Sequence, residues 1–438
     1  MKKTKLAFLF LALMLVMVSI LQGCSDSSST SSNASDEKVN LTFSTWGNPG
    51  EIKVIQKAVD GFMKENPDIK VKLVPIPNDG YVQKLQTQLQ GSQAPDVFYI
   101  GDGDISKIIE TGKLAPLSEY MNNNSESYVK PEEFAEGLWG AARKDGEIYG
   151  LAVDCNPMLM YYNKKLFSEL GIKSPQEYFD AGEWNFKAVE EVTSQLRDAG
   201  KYGFIVDNWW GPTFSWIWAN GGEIYNKETG EFVLDQNEKG IEAMKFLDRM
   251  IDEKNFTYTG SLPKGQGAEA MFMSGQVGMV GAGRWFTPLF HENKGLEWDY
   301  IPWPSNTENK TEPVGIPTAY MAANNDSEHK EEAMKFVTYY TSKIGQELRL
   351  AGIGNAIPSI GGIDEAITES KVPEHVQYIF DAREHGFANA IQSTIPGLDK
   401  EVNDIIDLMY LGKDNAETTV EKVATKAKEM IEEHKSDN

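Results

Sequence analysis

The chain has 438 residues and a formal charge of −23, from 65 acidic and 42 basic side chains. At 41% hydrophobic residues it can bury a core, which excludes wholesale disorder, and its length suffices for two or three domains. Two cysteines exclude a disulfide framework or a cysteine-based zinc module, and the unclustered basic residues exclude nucleic acid as a partner.

Lys2, Lys3 and Lys5 open the chain, and Leu6 to Leu21 is almost wholly apolar. That run is short for a bilayer span and fits the apolar region of a secretory leader. It ends Leu21-Gln22-Gly23-Cys24, which resembles the lipobox of bacterial lipoproteins; Gln22 departs from the small residue usual there. The resemblance implies a signal peptide over residues 1–23, cut before Cys24, whose thiol carries a diacylglycerol anchor with palmitate-type chains. A plain secretory leader and an uncleaved anchor are the alternatives. Residues 24–37 are serine-rich, without an apolar side chain larger than alanine after Cys24, and read as a flexible tether. Loss of the leader removes three lysines and brings the charge to −26. It leaves Cys155 as a lone thiol once Cys24 is lipidated.

The body alternates strands and helices. Val39 to Trp46 reads as a strand closed by Gly47-Asn48-Pro49-Gly50. Ile52, Ile55, Val59 and Phe62 recur at helical spacing, and Pro67 ends that helix. Ile69, Val71 and Leu73 alternate with lysine as a strand. Tyr81, Leu85 and Leu89 mark the next helix, and Asp96 to Ile100 a buried strand. This order predicts a mostly parallel sheet with helices on its faces, and a site in the loops beyond the strands' carboxyl ends: residues 46–50 and 101–104. Ile148 to Val153 and Met158 to Tyr162 read as strands leading out of this unit. Helices follow at Asn185 to Arg197 and Glu238 to Ile251, and strands at Gln276 to Gly281 and Trp298 to Ile301. Thr318 to Ala323 is a strand, Glu328 to Tyr340 a helix, and Ala416 to Glu433 the last helix.

Several stretches together resemble the extracellular solute-binding proteins of bacterial ABC importers that take up sugars. They are the lipobox, Leu41-Thr-Phe-Ser-Thr-Trp46, Asn66-Pro-Asp-Ile-Lys-Val71, Ala94-Pro-Asp-Val-Phe98, Tyr149-Gly-Leu-Ala-Val153 and Met160-Tyr-Tyr-Asn-Lys164. Ala270-Met-Phe-Met-Ser-Gly-Gln-Val-Gly-Met279 and Glu331-Glu-Ala-Met-Lys-Phe-Val337 continue the series. The resemblance implies an α/β, two-lobe periplasmic-binding-protein-like fold of type II, each lobe a mostly parallel sheet flanked by helices and joined to the other by hinge strands. It places lobe one at 38–153 and 313–360, and lobe two at 154–312 and 361–438.

A sugar presents apolar C–H faces and hydroxyl rims, so its site calls for aromatic plates with carboxylates and amides. Trp209, Trp210, Trp216 and Trp218 fall within ten residues of a loop-rich stretch; core packing is the ordinary fate of such residues, but four beside Gly211-Pro212 are hard to bury together. Trp209, Trp210 and Trp218 are the cleft candidates among them. Trp46 and Asn48 follow the first strand, Arg284 and Trp285 follow another, and Tyr320 lies on the strand after recrossing. Asp104 is the better helix cap, which leaves Asp102 as a sugar-hydroxyl acceptor. Asp154 and Asn156 lie on the crossing. Arg284 faces a carboxylate ligand or Asp102, or else makes a structural ion pair. A calcium loop needs further acids at fixed steps and none follow, so no metal or cofactor is expected.

Catalytic signatures are absent: there is no Gly-x-Ser-x-Gly, His-Glu-x-x-His, Cys-x-x-Cys or phosphate loop. The expected function is that of a non-enzymatic, substrate-binding lipoprotein. It captures a carbohydrate, an oligosaccharide by expectation, through hinge closure and hands it to the permease. Its place is outside the cytoplasm, anchored to the cell membrane by lipid, as a monomer. The same importer role with a non-sugar ligand is the alternative, and a lipid-anchored carbohydrate-active enzyme a further one. Arg143, Lys144, Arg284 and Arg349 leave an acidic sugar open.

Overall fold

The computed structural model describes residues 38–263, 266–389 and 391–437. The leader, Cys24 and most of the tether lie outside them. Among the described residues no helix is long and apolar enough to cross a membrane.

The first unit is built by short-range alternation of apolar runs. Strand β1 (Val39–Thr45) leads to α1 (Pro49–Glu65), then β2 (Ile69–Pro75), α2 (Tyr81–Gln90), β3 (Val97–Gly101) and α3 (Asp102–Ile109). Helix α1 starts on a capping box: the Asn48 carboxamide accepts from the amides of Gly50 and Glu51, and the Glu51 carboxylate accepts from the Asn48 amide. Pro49 sits in the first turn, where no amide is needed. Its buried face is Val54, Ile55, Ala58, Val59 and Phe62, and each large side chain there contributes about 1.5–3 kcal/mol by leaving water.

The chain then passes through β4 (Leu151–Ala152) to β5 (Leu159–Asn163), α4 (Phe186–Asp198), β6 (Tyr202–Val206) and α5 (Trp210–Ala219). α6 (Glu238–Asp252), β7 (Phe256–Tyr258), β8 (Val277–Ala282) and β9 (Trp298–Ile301) complete a second sheet. β10 (Ala319–Ala323) returns to the first, followed by α7 (Lys330–Thr341) and α8 (Lys343–Leu350). α9 (Leu398–Tyr410) and α10 (Ala416–Asp437) close the chain. The buried faces of these last two helices join the core of the second sheet through Leu398, Val402, Ile406, Val420 and Ala427.

The strand orders are β2-β1-β3-β10-β4 and β9-β5-β8-β6-β7. The α/β two-lobe architecture is as expected, and each sheet is mostly parallel with one antiparallel strand, β10 in the first and β5 in the second. β2, β1 and β3 run parallel, as do β8, β6 and β7. β10 is antiparallel to β3 and β4, and β5 is antiparallel to β8 and β9. The antiparallel members are the strands that arrive from the other sheet, so no helical crossover fixes their direction. The stretch 148–153 is not one strand either: Ile148 pairs with Arg143 in a short hairpin, while Leu151 and Ala152 pair with β10.

Candidate functional site

The carboxyl ends of the parallel strands of both sheets meet. From the first come Trp46 and Asn48 after β1, and Asp102 at the start of α3. From the second come Asp207 to Trp210 after β6, and Gly283 to Trp285 after β8. Among the contacts that join the halves, besides the Lys53–Glu292 ion pair at 2.6 Å, are two hydrogen bonds at these loops. The Trp210 indole donates to Asp102 Oδ1 at 3.2 Å, and the Asn48 carboxamide donates to the Trp285 carbonyl at 3.0 Å. Trp209 lies between Trp210 and Trp285, with ring centroids 6.0 and 6.2 Å away. Trp209 and Trp285 are half-buried, so each keeps part of a face for another group. Trp46 is also half-buried, its ring held edge-on by Tyr81 at 5.1 Å and Tyr99 at 5.5 Å.

Asp102 is the hub on the first side. Thr318 clamps it, its amide donating to Oδ2 at 3.2 Å while its carbonyl accepts from the Asp102 amide. Asp104 does not cap the helix, as the sequence suggested; α3 begins at Asp102 with Gly101 before it, and Asp104 lies within the first turn. Asp399 of α9 approaches from the second side, where a Cβ on Gly103 would come within 2.6 Å of Asp399 Oδ2, so any larger residue there displaces the Asp399 carboxyl. Gln392, Asn389 and Asn403 all donate to Asp399 and hold it there. Burial, reinforced by Asp399, pushes the Asp102 carboxyl up to about 7 and that of Asp104 to about 6. Burial likewise lifts Asp207 to about 6 and Glu51 to about 8.

The other nominated residues stand apart from this junction. Asp154 is buried and pairs with the equally buried Arg349 at 2.6 Å. Arg284 has no exposed surface and no carboxylate partner; its guanidinium donates to the carbonyls of Gly352, Gly354 and Val372. It therefore ties the 352–354 turn to the 372 segment instead of reaching Asp102. Tyr320 is 1% exposed, and its hydroxyl donates to the Leu138 carbonyl at 3.0 Å. Trp218 packs on Phe214 and Phe387, at 5.8 and 5.3 Å. Trp216 is a core residue, enclosed by Phe186, Phe204, Phe256 and Trp303.

Asp207, Glu51, Glu269 and Asp399 were not singled out in the sequence. Only the strand ends could have pointed to Asp207, and nothing local marks Asp399. A separate cavity of about 730 Å³ opens beside the crossing segments, lined by Phe134, Leu138, Cys155, Ile316 and Phe387 among others. None of Trp46, Trp209 and Trp285 lines it. Asp299, Glu374 and His375 bring ligand atoms within 4.8 Å of one another. Each has a protein partner: His375 Nδ1 lies 2.7 Å from Asp299, and Lys164 is 2.8 Å from Glu374.

The raised carboxyl values carry a stability consequence. A group whose folded value exceeds its unfolded one binds more protons when folded, so stability is lost as pH rises from the unfolded value through the folded one. For Glu51, Asp102, Asp104 and Asp207 that window runs from about 4 to about 8. His291, lowered by burial, works in the opposite sense but is a single, less buried group. Calorimetry at pH 5.5 and 8 is expected to give the higher melting temperature at pH 5.5; a maximum at pH 8 would show these carboxyls to be solvated.

Residues 46–347 match the bacterial extracellular solute-binding protein family, and the chain belongs to that family. Among relatives, it is 24% identical over 378 residues to a putative binding protein of Brucella abortus, covering 84% of this chain and 88% of the relative. It is 27% identical over 308 residues to an arabinooligosaccharide-binding protein of Halalkalibacterium halodurans, covering 67% of this chain and 66% of the relative. The structure superposes with a TM-score of 0.78 on an ABC substrate-binding protein of Listeria monocytogenes solved with cycloalternan. That pair is 23% identical, with 90% of this chain and 99% of the other covered. The type II two-lobe fold is thereby shown, and the family is one of binding proteins.

Proposed function

We propose that this chain is the lipid-anchored, substrate-binding component of an ABC importer and that it captures an oligosaccharide at the junction of the strand ends. The observation that carries the reading is the pair of half-buried rings, Trp209 and Trp285, with Trp209 against the Trp210 whose indole binds Asp102, where loops of both sheets meet. Indole faces suit the C–H faces of a pyranose, and carboxylates and amides suit its hydroxyls. The relatives whose names specify arabino-oligosaccharide and maltotriose support the substrate class.

Lobe one is taken as 38–153 and 313–360, and lobe two as 154–312 and 361–438. The mechanism is hinge closure. A ligand that touches both lobes binds the closed state better and shifts the population toward it, and the permease reads the closed surface. The bonds Trp210–Asp102 and Asn48–Trp285 join opposite lobes on this division, so they break when the lobes part to admit sugar. No turnover of the ligand is proposed, and the protein acts as a monomer.

A thermal-shift screen of oligosaccharides, amino acids and polyamines tests the substrate class. Stabilisation by oligosaccharides alone is expected, since binding to the folded state raises the melting temperature. Stabilisation by another class in their place would refute it. Anchoring is proposed through Cys24 after removal of residues 1–23. Cys24→Ser is expected to move the protein from the membrane fraction to the medium and to abolish labelling by a palmitate analogue; retained labelling would place the lipid elsewhere.

A further inference from the structure

The basic side chains that left an acidic sugar open are all engaged. Arg284 and Arg349 are fully buried, the first on three backbone carbonyls, the second on Asp154 and on Asn355 at 3.2 Å. Arg143 pairs with Glu136 at 2.8 Å and Lys144 with Glu110 at 2.6 Å. The carboxylates at the junction are placed differently. Asp102 is held by an indole and an amide, and Asp399 by three side-chain amides. Glu269 adds like charge to both Asp207 and Glu51, and Lys107 is the base that acts on Asp104. Among the described residues no ion pair reaches Asp102, Asp207 or Asp399.

Resting on the carbohydrate reading, we infer that the site selects its ligand by charge: it takes uncharged or amine-bearing oligosaccharides and rejects those carrying a carboxylate. A uronate would enter a partly desolvated space beside Asp102, Asp207 and Asp399, where Lys107, on the Asp104 side, is the one described base that acts on the junction carboxyls, and each like-charge approach weakens binding. An ammonium group at the same position meets the opposite field. It also drives Asp102 to ionise, because an upward shift to about 7 leaves that carboxyl partly protonated near neutral pH.

The test takes the neutral oligosaccharide that stabilises the protein most and two derivatives of it. In one a primary alcohol is oxidised to the carboxylate, and in the other the same alcohol is replaced by an amine. Both lose the same hydroxyl, so their comparison isolates charge. Titration calorimetry of the full chain is expected to show the amine binding about ten-fold tighter or more than the carboxylate. Its apparent enthalpy should vary with buffer because protons are released. In Asp399→Asn the ratio should narrow several-fold; Asp207→Asn is the second variant if the first does not fold. Binding of the carboxylate as tight as the amine, or a ratio unmoved in both variants, overturns the inference and leaves the carbohydrate reading intact. Failure of every neutral oligosaccharide to bind overturns both.

Discussion

Arg349→Met is expected to destabilise the protein by about 3–5 kcal/mol, the cost of leaving a buried charge without its partner. Arg349 and Asp154 are both buried, and the pair is set deep between the first sheet and the turn after α8. Arg349 also donates to the Val153 carbonyl and to Asn355. Removing the guanidinium therefore strands a carboxylate that burial already pushes upward. Two features separate this from simple loss of packing. The double variant Asp154→Leu/Arg349→Met should recover much of the loss, since neither charge is then left alone. The deficit of the single variant should also shrink at low pH, where Asp154 protonates. Thermal unfolding of the two variants at pH 5 and 8 checks both. A single-variant loss below about 1 kcal/mol at pH 8 would mean that water reaches the pair.

The second large effect concerns binding. Trp285→Ala is expected to weaken oligosaccharide affinity about 10- to 100-fold, or roughly 1.5–3 kcal/mol, as loss of a central aromatic anchor does. The backbone carbonyl that receives the Asn48 bond survives in this variant, so the loss reports the ring. Trp216→Phe supplies the contrast. It sits in the second core with no exposed surface, and its substitution should lower the melting temperature while leaving affinity within about two-fold. Equal affinity losses in both variants would point to general loosening rather than a ring contact.

Much of this fold is legible in the residues. The alternation of Ile69, Val71 and Leu73 with lysine marks β2, and the spacing of Ile52, Ile55, Val59 and Phe62 marks α1, which however starts at Pro49, inside the stretch that reads as a loop. Helix α5 is not legible as such, because Gly211-Pro212 reads as a break. Pro212 falls in the first turn, where amides lack intrahelical partners, and it costs the helix nothing. That misreading made four tryptophans look unburiable together, whereas the helix sends Trp216 into the core and leaves Trp209 before its first turn. β6 escapes notice because it is only five residues long, and the four after the exposed Tyr202 are all buried, without alternation. Strand direction in the mixed sheets is a property of long-range crossing, which no local pattern encodes.

The site divides along the same line. Trp46, Asn48, Asp102 and Trp285 follow strands visible in the sequence, so their place near the junction follows from topology. Arg284 also follows a strand, yet the 352–354 turn, brought in from 70 residues away, captures it. Asp399 reaches the junction from a C-terminal helix and is positioned by Asn389, Gln392 and Asn403. Its approach depends on Gly103 lacking a side chain, a fit between segments that are distant in the chain.

The most direct measurement is a crystal structure of the mature chain with the oligosaccharide that stabilises it best. Sugar density stacked on Trp209 and Trp285, with hydroxyls on Asp102, is the predicted result. Density in the cavity beside Phe134, Leu138 and Phe387, with the tryptophan faces bare, would contradict it.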